Sequence, residues 1–130
     1  MAIELTVVLD DKPGALARLG TVLGDADVNI EAIHGMSRDG RSVVQFVPRN
    51  PDTAGEALVA AGVPYTEREV VVVKVLDQPG MLGDVSLVMS HAGINIDAVY
   101  VTTRGYIVLG VDDLDGAIQV AGGMAVMTWD

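Results

Sequence analysis

Six residues of this chain recur at a fixed distance: Asp11, Pro13, Gly14, Leu16, Asn29 and Ile30 return as Asp77, Pro79, Gly80, Leu82, Asn95 and Ile96, each pair 66 positions apart (77 − 11). The same offset aligns Val22 with Val88, Ala26 with Ala92, Ala32 with Ala98 and Arg38 with Arg104. The chain reads as a tandem duplication with boundaries expected at residues 1–68 and 69–130. Units of about 65 residues bury little surface alone. The repeated positions include loop and strand-entry residues as well as apolar ones, so a backbone-built site is expected to have been copied with the fold.

Each half shows the same order of elements. Ile3 to Leu9 is β-branched and leucine-rich and reads as a strand that ends at Asp10-Asp11-Lys12. Leu16, Leu19 and Leu23 then fall at helical spacing, and Leu82, Val85 and Met89 repeat it, predicting one apolar stripe per helix. Pro13 and Pro79 suit a first helical turn, where a missing N–H costs nothing. Ile30 to Ser37 and Ser42 to Val47 flank Asp39-Gly40, a strong hairpin signal; Ile96 to Thr103 and Tyr106 to Val111 flank Arg104-Gly105 in a hairpin about one residue shorter. Asn50-Pro51-Asp52 opens a second helix that should end near Gly62, and Asp112-Asp113 opens its counterpart, closed by Gly122-Gly123. Tyr65 to Glu69 runs without a linker into Val70 to Leu76, and Met124 to Trp129 is the expected last strand. Strand, helix, strand, strand, helix, strand, twice, is the ferredoxin-like α+β pattern, with an antiparallel sheet and both helices on one face of each unit.

Glycine at positions 14 and 80 admits backbone conformations closed to other residues and lets a ligand approach closely. The N–H groups of Ala15 and Leu16, or of Met81 and Leu82, lie in a first helical turn without intrahelical partners, and together with the helix dipole they suit a carboxylate. Asp11 and Asp77, just upstream, suit an ammonium group. Donors for a carboxylate beside an acceptor for an amine describe an α-amino acid. Asp-x-Pro-Gly is equally an ordinary strand-to-helix turn, and Asn29 and Asn95 are equally left-handed or turn residues before a strand.

Composition narrows the classes. Net charge is −10, which repels phosphate backbones and argues against nucleic acid. No apolar run approaches the length of a membrane helix, and Met1-Ala2-Ile3-Glu4 lacks the features of a signal peptide, so the expected compartment is the cytoplasm. With no cysteine, disulfides, thiolate nucleophiles and cysteine metal sites drop out together. A hydrophobic content of 50% and a mean hydropathy of +0.41 predict halves that pack on each other and self-associate, most simply as a homodimer.

The segments DKPGALARL with VNI, and DQPGMLGDV with INI, resemble the ACT domain, the small regulatory module attached to many enzymes of amino-acid metabolism. The resemblance covers nearly the whole chain, in both copies. It implies paired ACT units with amino-acid effectors at the domain interface, the Pro-Gly loop of one unit meeting the Asn-Ile segment of its neighbour. Carried over, it places Asp11, Gly14, Ala15, Leu16, Asn29 and Ile30 at one candidate site and Asp77, Gly80, Met81, Leu82, Asn95 and Ile96 at the other. Gln78 replaces Lys12 and Met81 replaces Ala15, so the two sites are not chemically identical.

Other chemistry has little to stand on. His34 and His91 have Tyr100 and Asp25 as repeat partners and no ligand constellation around them. Asp112-Asp113-Leu114-Asp115 reads as helix capping, since it does not supply the oxygens calcium needs. Serines 37, 42, 86 and 90 lack an elbow or triad motif, and Met81, Met89, Met124 and Met127 read as adaptable packing. The expectation is a stand-alone regulatory protein, not an enzyme. It would need no cofactor or metal, would bind an amino acid at ACT–ACT interfaces, and would be read by a partner enzyme or regulator. The alternative is a regulatory or scaffolding subunit that binds no ligand; catalysis on an amino-acid-like substrate has no identifiable base or nucleophile behind it.

Overall fold

The computed structural model describes residues 2–129, which form two compact units, residues 3–68 and residues 69–129 together with Ala2. In the first unit the order is β1 (Ala2–Asp10), α1 (Ala15–Asp25), β2 (Ile30–Arg38), β3 (Arg41–Pro48) and α2 (Pro51–Ala60), followed by β4 (Thr66–Val73), which begins in this unit and ends in the next. The strands lie in the order β2-β3-β1-β4, and both recorded ladders, β1 with β3 and β2 with β3, are antiparallel.

Alternation builds the core. Leu5 faces Phe46 and Val7 faces Val44 across the β1–β3 ladder, so all four side chains share one face. Leu19 and Leu23 of α1 and Ala54 and Leu58 of α2 pack on that face in one buried cluster. Burying each large side chain stabilises the unit by about 1.5–3 kcal/mol. Two carboxylates are buried in this unit as well. The Glu4 side chain is 0% exposed and accepts from Arg68 Nε at 3.0 Å and Gln45 Nε2 at 3.4 Å, while Glu31 pairs with Arg49 at 3.2 Å. A buried carboxylate is tolerated because such partners replace its water.

The Asp39-Gly40 turn forms as the sequence predicts. Both residues have positive φ, 53° and 75°, which is the type I′ geometry whose twist matches the flanking strands. Asn50 and Pro51 open α2 as expected, although the Asn50 side chain makes no capping bond.

The second unit repeats the plan with α3 (Met81–His91), β5 (Ile96–Val101), β6 (Ile107–Val111) and α4 (Leu114–Ala121). Its strands run β4-β6-β5, both pairings antiparallel, with Val71 opposite Leu109 and Val73 opposite Ile107. Those four side chains form the core with Val85 and Met89 of α3 and Ala117 and Ala121 of α4. Asp113 caps α4 by accepting from Gly116 N–H at 2.9 Å, and Asp112 accepts from Asn95 N–H at 3.0 Å, so the acidic run serves helix entry and loop closure.

Three expectations need correction. Met124–Trp129 is not a strand: Gly122–Met124 is a 3₁₀ turn, and the return is a single antiparallel bridge from Ala125 to Val73. Two hydrogen bonds frame that bridge, Val126 N–H to Val72 O at 2.8 Å and Lys74 N–H to Met124 O at 2.7 Å. Gly122, with φ 56°, and the 3₁₀ turn take up the first of these residues, so extended pairing starts only at Ala125. Pro13 and Pro79 stand before their helices, not in the first turn, because Gly14 and Gly80 occupy the N-cap positions. The first apolar residue of each stripe also stays out of the core: Leu16 is 59% and Leu82 55% exposed.

Candidate functional site

Gly14 enters α1 with φ 90°, and Gly80 enters α3 with φ 93°. This left-handed conformation costs an L side chain about 1–2 kcal/mol, which explains glycine at both positions. No atom lies within 4 Å of where a Cβ would stand at either glycine, so the requirement is one of backbone conformation, not of space.

The turn leaves amides without partners. Ala15 N–H reaches Lys12 O at 3.3 Å and Arg18 N–H reaches Gly14 O at 3.0 Å; among the described residues the N–H groups of Leu16 and Ala17 have no acceptor. In the second unit Met81 N–H reaches Gln78 O at 3.4 Å and Asp84 N–H reaches Gly80 O at 3.0 Å, which leaves Leu82 and Gly83 in the same condition. Each helix start thus offers two donors at the positive end of its dipole, an arrangement complementary to a carboxylate.

What surrounds those donors differs between the units. In the first, Leu16 borders a groove of about 350 Å³ whose other walls are Ile33, Gly35, Met36 and Ser37 of β2 and Ser42 and Val44 of β3. The volume falls within the range of small-molecule sites, about 300–1,000 Å³. Asp11 N–H donates to Gly40 O at 3.2 Å and ties the loop to the hairpin turn that ends the groove. At this rim Asp10 holds Arg41 at 2.8 Å and Lys12 at 3.9 Å, all three exposed.

The rungs of the two sheets correspond one to one. Val7 faces Val44, which faces Gly35; sixty-six residues on (73 − 7), Val73 faces Ile107, which faces Val101. Where the first unit has a glycine, the second has a valine that is 61% exposed. Two rungs further, on the same face, the first unit continues with Leu9, Ser42 and Ser37. Strand β5 has already ended there: Thr102 Oγ1 accepts from Arg104 N–H at 3.2 Å and Tyr106 N–H at 3.0 Å, closing a tight turn. The cavity beside Met81 holds only about 100 Å³ and is lined by Val73, Asp84, Val85, Val88, Met89, Ala121 and Met124, a mostly apolar space under the helix.

The predicted site residues therefore divide. Asp11, Gly14, Ala15 and Leu16 lie together at the start of α1, and Asp77, Gly80, Met81 and Leu82 at the start of α3, with both aspartates exposed. Asn29 and Ile30 stand at the opposite end of β2 from the hairpin turn, roughly 25 Å away along eight residues of strand. There Asn29 O accepts from Arg49 N–H at 2.9 Å. Asn95 and Ile96 are placed likewise, Asn95 O accepting from Asp112 N–H at 3.2 Å. Neither Asn-Ile pair shares a pocket with the loop of its own unit. The left-handed residues before these strands are Asp27 and Gly93, not the asparagines. Sequence reasoning missed Ile33, Gly35, Ser37, Ser42 and Val44; the available signal was a glycine inside an alternating strand, a common mark of close ligand approach.

Residues 3–58 match the sequence model of the ACT domain, and no curated protein matches the chain at a significant level. The fold is similar to that of a protein from Bacteroides thetaiotaomicron, with a TM-score of 0.84 and 24% identity over 92% of this chain and 85% of that one. It is also similar to the regulatory subunit of aspartate kinase from Thermus thermophilus in its ligand-free form, with a TM-score of 0.70 and 16% identity over 92% and 89% of the two chains. The regulatory subunit of aspartate kinase from Thermus flavus gives 0.62 and 18% over the same shares. At these identities the structures speak for fold alone. The first unit thus carries the ACT-domain match over residues 3–58, and an ACT-like succession of strands and helices is repeated in the second. No helix among the described residues is long and apolar enough to cross a membrane, and no cluster of metal-ligating side chains occurs among them.

Proposed function

We propose that this tandem ACT protein is a cytoplasmic regulatory protein, without catalytic activity of its own, that binds an α-amino acid at the start of α1. The observation that carries the reading is the pairing of two unpartnered helix-entry amides with a ligand-sized groove. The amides of Leu16 and Ala17 receive the carboxylate, Asp11 neutralises the ammonium group, and the groove takes the side chain. Asn29 and Ile30, distant from the loop of their own unit, are supplied by a second chain in a homodimer. The second loop, with Asp77, Gly80, Met81, Leu82, Asn95 and Ile96, is the duplicated counterpart.

Binding favours one arrangement of paired chains over another, and an amino-acid metabolic enzyme or regulator reads the difference. Likeness of fold to two regulatory subunits of aspartate kinase supports a partner of that kind. A thermal-shift screen of the full chain against the proteinogenic amino acids tests the reading. A ligand at one hundred times its dissociation constant adds about 2.7 kcal/mol of stability. No shift with any amino acid at millimolar concentration refutes amino-acid sensing and favours a regulatory subunit that binds no ligand.

A further inference from the structure

The groove beside α1 has a chemical character of its own. Its walls are Leu16, Ile33 and Val44, its floor is the backbone of Gly35, and no charged side chain lines it. Among the described residues neither the Ser37 nor the Ser42 hydroxyl is engaged in a hydrogen bond, and the two face each other across the last rung but one before the turn. Two cations at the rim, Lys12 and Arg41, are already gathered on Asp10.

Resting on the reading above, we infer that the first unit selects an amino acid with an aliphatic side chain, and that Gly35 is the residue that makes room for it. A charged side chain entering this groove leaves water and meets two serine hydroxyls but no opposite charge, which is unfavourable. An aliphatic one exchanges water for Leu16, Ile33 and Val44. Val101, at the same rung of the second unit, occupies the corresponding space, so one ligand binds per chain.

Gly35 makes the inference testable without unfolding the protein. A Cβ added there meets Val44 Cγ2 at 3.7 Å and Val43 O at 4.0 Å, ordinary contacts, so a side chain fits the sheet and projects into the groove. The experiment is calorimetric titration of the full chain with leucine, isoleucine, valine, methionine, alanine, lysine and aspartate. Leucine, isoleucine, valine or methionine should bind at least about 10-fold more tightly than alanine, which lacks the methylenes the groove buries. The expected stoichiometry is one per chain. Gly35→Val should abolish that binding while its thermal midpoint without ligand stays close to that of the parent, and Val101→Ala should retain it. Binding of lysine or aspartate in preference to the aliphatic set overturns the selectivity and leaves amino-acid sensing intact. Two ligands per chain, or binding that survives Gly35→Val, overturns the assignment of the groove. Heat with none of the seven overturns the selectivity, and the thermal-shift screen then decides separately whether any other amino acid is sensed.

Discussion

Two hairpins that descend from one duplicated pattern have come to differ at their tips. In the first unit β2 runs on to Arg38, turns at Asp39 and Gly40, and carries a glycine on the face toward α1. In the second, β5 stops at Val101 and the turn is closed by the Thr102 hydroxyl. The helix entries above them are nearly superposable in kind, with left-handed glycines at φ 90° and 93° and two unpartnered amides apiece. Donors alone therefore do not distinguish the copies; the space in front of them does. The polar interior differs too, since the two buried carboxylates, Glu4 and Glu31, both belong to the first unit.

The largest stability effect should come from that interior. Arg68→Met leaves Glu4 buried without its guanidinium and should destabilise the first unit by about 2 kcal/mol. This is less than the roughly 3–5 kcal/mol of a fully buried pair, because Arg68 is itself 37% exposed and water partly screens the loss. Urea denaturation followed in the parent, the single variant and the Glu4→Met/Arg68→Met double variant measures it, and the double variant should regain most of the loss. An unchanged midpoint for Arg68→Met would show that water or another neighbour already serves Glu4.

A smaller pair of effects separates fold from function. Gly14→Ala and Gly80→Ala each impose the left-handed penalty, so each should cost about 1–2 kcal/mol by the same denaturation curve. Only Gly14→Ala should also weaken the amino acid, by displacing the Leu16 and Ala17 amides. Equal losses of affinity in both variants would put the second loop back on the same footing as the first.

The smallest contrast lies at the second helix of each unit. Asp113→Ala removes the side-chain cap to Gly116 and should lower stability by about 1 kcal/mol. Asn50→Ala removes a side chain that makes no capping bond, and its cost should stay within about 0.5 kcal/mol. Thermal midpoints of the two variants check the order.

Much of this architecture was legible in the residues. The 66-residue offset exposed the duplication, Asp39-Gly40 named its own turn, and the alternation of Leu5 and Val7 pointed one face inward. The end of the second unit was not legible, because β-propensity over Met124 to Trp129 does not register the 3₁₀ turn that Gly122-Gly123 opens. Leu16 reads as core at helical spacing; only the fold reveals that the hairpin stops short of covering it. The groove depends on which strand residue faces which across a ladder, and Gly35 declares itself only when its rung is compared with that of Val101. Asn29 and Ile30 are repeated as faithfully as the Pro-Gly loop, yet linear proximity on the chain hid a strand's length between them.

The most direct measurement is a two-dimensional amide NMR titration of the full chain with leucine. The account predicts that the largest shift changes fall on Leu16, Ala17, Gly35, Ser37 and Ser42, with those of Leu82, Gly83 and Val101 near zero. Changes centred on Leu82 and Val101, or saturating changes that leave Leu16 and Gly35 unmoved, would contradict it.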